Sequence, residues 1–183
     1  MVEAISDQIR ALLQECGYTL RSLDPQGHSF WAQRKKALKV GVVEKWTHAD
    51  LNQAIDLLLL EEGEAEEAYK VVVAPGNEVG SGSLQPIEVI AKRYRFCAEH
   101  DINIWGMDSA SGDLFLVTGS LPRFDFKLMS RLMQSKSMLG SGAQKVIENR
   151  VRNFLVRGFH TWEEFEGFSQ VKPEPPTDVE STS

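Results

Sequence analysis

The stretch LKVGVVEKW at residues 38–46 constrains this chain most, because its apolar side chains fall on both faces of an extended backbone. Successive side chains of a strand point to opposite sides. A run of this kind therefore suits a strand buried inside a sheet, and its neighbours in sequence decide what covers it.

Upstream, Val2, Ile5, Ile9, Leu12, Leu13 and Cys16 recur three and four residues apart, which is one face of a helix. Gly17 follows as a stop, since glycine takes the left-handed conformation freely. Residues 18–23 and 28–34 read as strands around the turn Asp24-Pro25-Gln26-Gly27. The second puts Phe30, Ala32 and Arg34 on one face and Trp31 and Gln33 on the other, and Lys35-Lys36 mark the next turn. Downstream, Thr47-His48-Ala49-Asp50 is a variant capping box. It opens a helix with Leu51, Ala54, Ile55, Leu58 and Leu59 inward. The run EEGEAEEA at 61–68 reads as a solvated connection, and YKVVVA at 69–74 as another buried strand. A glycine-rich loop, 75–83, leads to a third helix in which Pro86 suits the first turn. Residues 102–105 and 114–117 are strands across a turn at 108–113. Three consecutive strands give an antiparallel meander, whereas a strand–helix–strand passage needs a crossover and parallel pairing. The expected fold is α/β, a mixed sheet of about five to six strands flanked by helices in two or three layers, spanning 1–120.

Beyond residue 120 the charge changes sign. Residues 1–120 hold 11 Lys/Arg and 18 Asp/Glu, a net of −7; residues 121–158 hold 8 and 2, a net of +6; residues 159–183 hold 1 and 6, a net of −5. The overall −6 conceals this polarity, which matters more for partners than the whole-chain value. Residues 124–132 and 143–155 read as helices around a Ser/Gly hinge at 135–142. The second sets Val146, Ile147, Val151, Phe154 and Leu155 against Lys145, Arg150 and Arg152, with Arg157 near its end. The chain thus divides into an α/β core (1–120), a basic helical extension (121–158) and an acidic, partly disordered tail (159–183).

No stretch reaches the roughly 18 to 20 apolar residues that a membrane-spanning helix needs, and the first residues carry no apolar run of the signal-peptide kind. Cys16 and Cys97 are isolated and read as buried free thiols. The cytoplasm is the expected compartment, with no membrane partner.

The element order and the buried third strand resemble the restriction-endonuclease-like, or PD-(D/E)xK, superfamily over residues 2–118. That resemblance implies a leading helix, a meander, a helix, a strand, a further helix and closing strands. It also implies an acid on the second meander strand, and an acid or glutamine two residues before a lysine on the third. Those carboxylates would bind Mg²⁺, and the lysine would position or activate the attacking water. The pattern is broken here. Aligning Lys45 with the motif lysine puts Val43 on the acidic position, and aligning Glu44 with the acid puts Trp46 on the lysine. Glu44 and Lys45 are adjacent, so a regular strand points them to opposite faces. Gln33-Arg34-Lys35 fits glutamine-x-lysine, but its only acid on the first strand side is Asp24, in the turn.

Other patterns carry less. The loop at 76–83 lacks the lysine and hydroxyl of a phosphate-binding loop, and Glu78 would repel phosphate. His28, His48, His100 and His160 are scattered, without the spacing of a zinc site. No GxSxG elbow occurs, and Asp108 and Asp113 suit a turn. Lys92-Arg93-Tyr94-Arg95 is a basic stretch with Tyr94 inward.

The expectation is a non-catalytic restriction-endonuclease-like module, without cofactor or metal. It binds nucleic acid or another macromolecule through residues 121–158, with Lys145, Arg150, Arg152 and Arg157 as the binding cations. The alternatives are a Mg²⁺-dependent nuclease with a migrated site drawn from Asp24, Gln33, Glu44 and Lys45, and an adaptor that docks on a protein partner.

Overall fold

The computed structural model describes residues 4–60, 68–76 and 84–133. Its elements are α1 (Ile5–Glu15), β1 (Thr19–Ser22), β2 (Ser29–Gln33), β3 (Leu38–Val42), α2 (His48–Leu59), β4 (Tyr69–Pro75), α3 (Leu84–Glu99), β5 (Ile102–Met107), β6 (Leu114–Thr118) and α4 (Phe126–Met133). The strands form one sheet in the order β1-β2-β3-β4-β5-β6. The pairs β1–β2 and β2–β3 are antiparallel, β3–β4 and β4–β5 parallel, and β5–β6 antiparallel. The mixed sheet follows from the connections: short turns join the antiparallel pairs, and α2 and α3 carry the two crossovers.

Both crossovers step the same way across the sheet, and crossovers share one hand, so α2 and α3 fall on the same face. Leu51, Ala54, Ile55 and Leu58 of α2 and Val89, Ile90 and Cys97 of α3 pack there with Val72, Ala74, Ile104, Phe115 and Val117. The opposite face carries α1 and α4, whose Ile9, Leu13, Leu128 and Leu132 meet Leu38, Val40, Val42, Val71, Val73 and Trp105. The layers are therefore helices, sheet, helices. Two close approaches depend on glycine. At Gly41 an added Cβ would lie 3.3 Å from the Cβ of Ala54, so α2 can settle on β3. At Gly106 it would lie 2.6 Å from the Phe115 ring, which the neighbouring strand lays across it.

The apolar run 38–46 is not one strand. β3 ends at Val42, although the Val43 amide still reaches the Val73 carbonyl at 3.0 Å. The chain then turns, with the Thr47 amide bonded to the Lys45 carbonyl at 3.0 Å. Val43 and Trp46 remain buried, and Trp46 donates its indole N–H to the Pro75 carbonyl at 2.9 Å. Burial continued where the strand did not. Lys39, the second residue of β3, is 1% exposed. Its ammonium donates to the Leu60 carbonyl beyond α2 and lies 5.6 Å from the Trp31 ring centre. The capping box forms in half: Thr47 Oγ1 accepts from the Asp50 amide at 3.0 Å. Among the described residues, no helix is long and apolar enough to cross a membrane.

Candidate functional site

Two of the four residues that a nuclease would use, Glu44 and Lys45, lie near the carboxyl end of β3, where open α/β sheets commonly place their crevices. A cleft of about 260 Å³ opens there, with His28, Glu44, Lys45, Asp50 and Gln53 around a floor of Val42, Val43, Ala54 and Leu57. Glu44 is already engaged. Its two carboxylate oxygens accept the amides of Ile5 (3.4 Å) and Ser6 (3.2 Å). Ala4, at the start of α1, offers no side-chain cap. The first amides of a helix lack internal partners and favour negative charge, so Glu44 serves α1 from across the fold. Lys45 beside it is exposed.

Asp24 is likewise used locally. Its Oδ1 accepts the Ser29 amide (2.6 Å) and hydroxyl (2.9 Å), and its Oδ2 accepts the Gln26 amide (3.2 Å). Partial burial opposes ionisation, but the hydrogen bonds from Ser29, His28 and Gln26 outweigh it and hold this carboxyl below its ordinary value. Gln33 sits at the other end of β2, paired with Thr19 and donating to the Arg34 carbonyl at 3.3 Å. Four residues separate it from Ser29, about 13 Å along a strand. Glu44 and Lys45 thus share one cleft, while Asp24 and Gln33 lie apart from it and from each other.

The remaining titratable groups are dispersed. Burial lowers the His48 pKa, helped by Lys92 and opposed by Glu88. His100 stacks on Phe96, with centroids 4.1 Å apart. Asp108 accepts the Ala110 amide at 2.9 Å, as expected of a turn aspartate. Both cysteines are buried and free, and burial pushes the Cys97 thiol up to about 12. Among the described residues, no three His, Cys, Asp or Glu side chains converge as metal ligands.

A second region forms where α4 meets the β2–β3 turn. Asp125 is 5% exposed and caps α4 by accepting the Leu128 amide at 3.1 Å. Its other oxygen accepts the Tyr18 hydroxyl (2.5 Å) and the Arg34 guanidinium (3.0 Å). Burial works against its charge, but the bonds from Tyr18, Leu128 and Arg34 prevail and lower its pKa. Burial, then the bond and charge of Asp125, keep the Tyr18 phenol neutral well above its usual range. Lys127 donates to the Glu15 carbonyl at the end of α1 (3.3 Å), and Arg131 pairs with the Glu15 carboxylate (3.4 Å). Cations at a helix C-terminus match its partial negative charge. Arg123, Lys127 and Arg131 are the cations of the basic extension that fall within the described residues. Lys145, Arg150, Arg152 and Arg157 lie outside them, as do the hinge at 135–142, the tail, residues 61–67 of the acidic run and residues 77–83 of the glycine-rich loop.

The sequence pattern marks Lys35-Lys36 as a turn and Phe124 as the start of a helix. The structure brings them together: the Lys36 ammonium lies 5.2 Å from the Phe124 ring centre, and α4 begins only at Phe126. The signal was the pair of short strings RKK and RFDF, whose contact depends on the fold.

No family model matches the chain, and no curated protein is significantly similar to it.

Proposed function

We propose that this chain is a non-catalytic module of restriction-endonuclease-like architecture that binds nucleic acid through the basic segment 121–158. The observation that carries the non-catalytic half is the employment of Glu44 and Asp24. Each accepts backbone amides with both carboxylate oxygens, so each already has a structural duty, and a metal would have to share those oxygens with the amides. The six-stranded mixed sheet with helices on both faces accords with the resemblance, although a fold by itself does not assign a function. The binding half is supported by charge, eight cations against two carboxylates over residues 121–158. Neutralising phosphates in this way releases counterions and drives association.

The test is a pair of assays on the purified chain. With Mg²⁺ or Mn²⁺, linear duplex, single-stranded DNA and RNA should remain uncut above background, while a labelled oligonucleotide should bind at low salt. Metal-dependent cleavage abolished by Glu44→Ala would establish the migrated-site nuclease instead. Stable capture of a protein partner with no nucleic-acid binding would establish the adaptor.

A further inference from the structure

Three of the four exposed large apolar side chains among the described residues lie on α4 or just before it: Phe124 (39%) two residues ahead of the helix, and Phe126 (78%) and Met133 (57%) at its two ends. Apolar rings in water need a reason, and here they sit among cations. Arg123 and Lys127 flank them in sequence and are exposed, and the fold adds Lys35 and Lys36 from the β2–β3 turn. Two contacts fix that turn against the start of α4, the Lys36 ammonium over the Phe124 ring and the Arg34–Asp125 ion pair. Asp125 is the single carboxylate within 34–36 and 123–133, and it is buried and neutralised by Arg34. The surface therefore presents one largely open ring, Phe126, beside the partly covered Phe124, with exposed cations around them and Glu15 as the neighbouring carboxylate, paired with Arg131.

We infer that this surface, Phe124 and Phe126 framed by Lys35, Lys36, Arg123 and Lys127, is a binding platform for single-stranded nucleic acid. The inference rests on the nucleic-acid reading and narrows its substrate class. A duplex keeps its base faces stacked inside and offers mainly phosphates, which need cations but no rings. A single strand offers both, and stacking of bases on aromatic side chains beside a cationic track is how strands are held without regard to sequence. Phe126 is the stacking ring. Phe124 is backed edge-on by Tyr69, with centroids 5.7 Å apart, and holds Lys36 in place for a phosphate.

The experiment is fluorescence anisotropy of the full chain with labelled oligo-dT, oligo-U and a duplex of equal length. Both single strands, or either, should bind more tightly than the duplex. Phe126→Ala should weaken strand binding about tenfold, the usual loss for one stacked base, and leave duplex binding nearly unchanged. Phe126→Trp should restore it, which a merely structural ring would not require. Lys35→Ala with Lys36→Ala should flatten the salt dependence for single strands by about 1.4 in log–log slope. Equal binding of strand and duplex, or strand binding indifferent to Phe126→Ala, overturns the platform while leaving the broader reading intact. Lower thermal stability of Phe126→Ala with unchanged binding also overturns it, by assigning the ring to packing. Absence of binding to all three probes at low salt overturns both.

Discussion

Asp125 shows how much one carboxylate can hold together. It caps α4, accepts the Tyr18 hydroxyl and pairs with Arg34, so the chain after β6 is tied to the first residues of the sheet. Asp125→Asn should cost about 1–3 kcal/mol, the range for losing hydrogen bonds to a charged group. The pH dependence has a definite sign. The folded-state pKa is depressed below an unfolded value of about 3.9. The added stability is therefore complete above that value and lost as pH falls through the folded pKa. Urea unfolding at neutral pH and near pH 3 should show the gap between wild type and Asp125→Asn shrinking on acidification. A constant or widening gap would contradict the role. None of this was legible in the sequence, because Tyr18, Arg34 and Asp125 lie far apart in it. Lys39 was equally unreadable: a lysine in an apolar run says nothing of the carbonyl that will receive its ammonium.

At the scale of elements, periodicity carried most of the information. The apolar spacing of α1 and α2 matches the buried faces observed, with Ile5, Ile9, Leu12 and Leu13 inward on α1 and Leu51, Ala54, Ile55 and Leu58 on α2; on α3 the expected inward residues Ile90, Ala91 and Cys97 are buried, Tyr94 is half-buried and Ala98 is exposed. The sense of strand pairing was legible too, because short turns give antiparallel pairs and helical crossovers parallel ones. Element ends were less so. Val43 and Trp46 are as buried as Val40 and Val42, so hydrophobicity gave no sign that β3 stops and turns. The turn aims Glu44 at the amides of α1, which makes a prediction that separates structure from catalysis. Glu44→Ala should destabilise the protein by about 0.5–2 kcal/mol, as loss of a helix cap does. Amide exchange at Ile5 and Ser6 should speed up more than exchange in α2. Unchanged exchange there would free Glu44 for another duty. Gly41→Ala should also destabilise the fold, since its new methyl would press on Ala54 at 3.3 Å. A thermal melt at or above the wild-type value would show that α2 yields to it.

Across the whole molecule the dominant feature is the charge sequence, −7, +6, −5. That much needs no structure, and the six-strand sheet adds only the surface on which the basic segment begins. What the sequence hid was the contribution of the β2–β3 turn, since Lys35 and Lys36 are nearly ninety residues from Phe124. An acidic segment tethered beside a basic one acts at high effective concentration, so deleting 171–183 should tighten nucleic-acid binding a few-fold. The effect should stay modest because Glu163, Glu164 and Glu166 remain. Binding weakened by that deletion would assign the tail a part in the contact itself.

Salt dependence of nucleic-acid binding is where the charge pattern of residues 121–158 must show itself. Anisotropy titrations at several ionic strengths should give affinity that falls steeply with salt for the wild-type chain. The combined variant Lys145→Ala, Arg150→Ala, Arg152→Ala and Arg157→Ala should bind more weakly, with a log–log slope shallower by about 3, from four fewer phosphate contacts. No binding at low salt, or a slope that the four substitutions leave unchanged, would contradict the account.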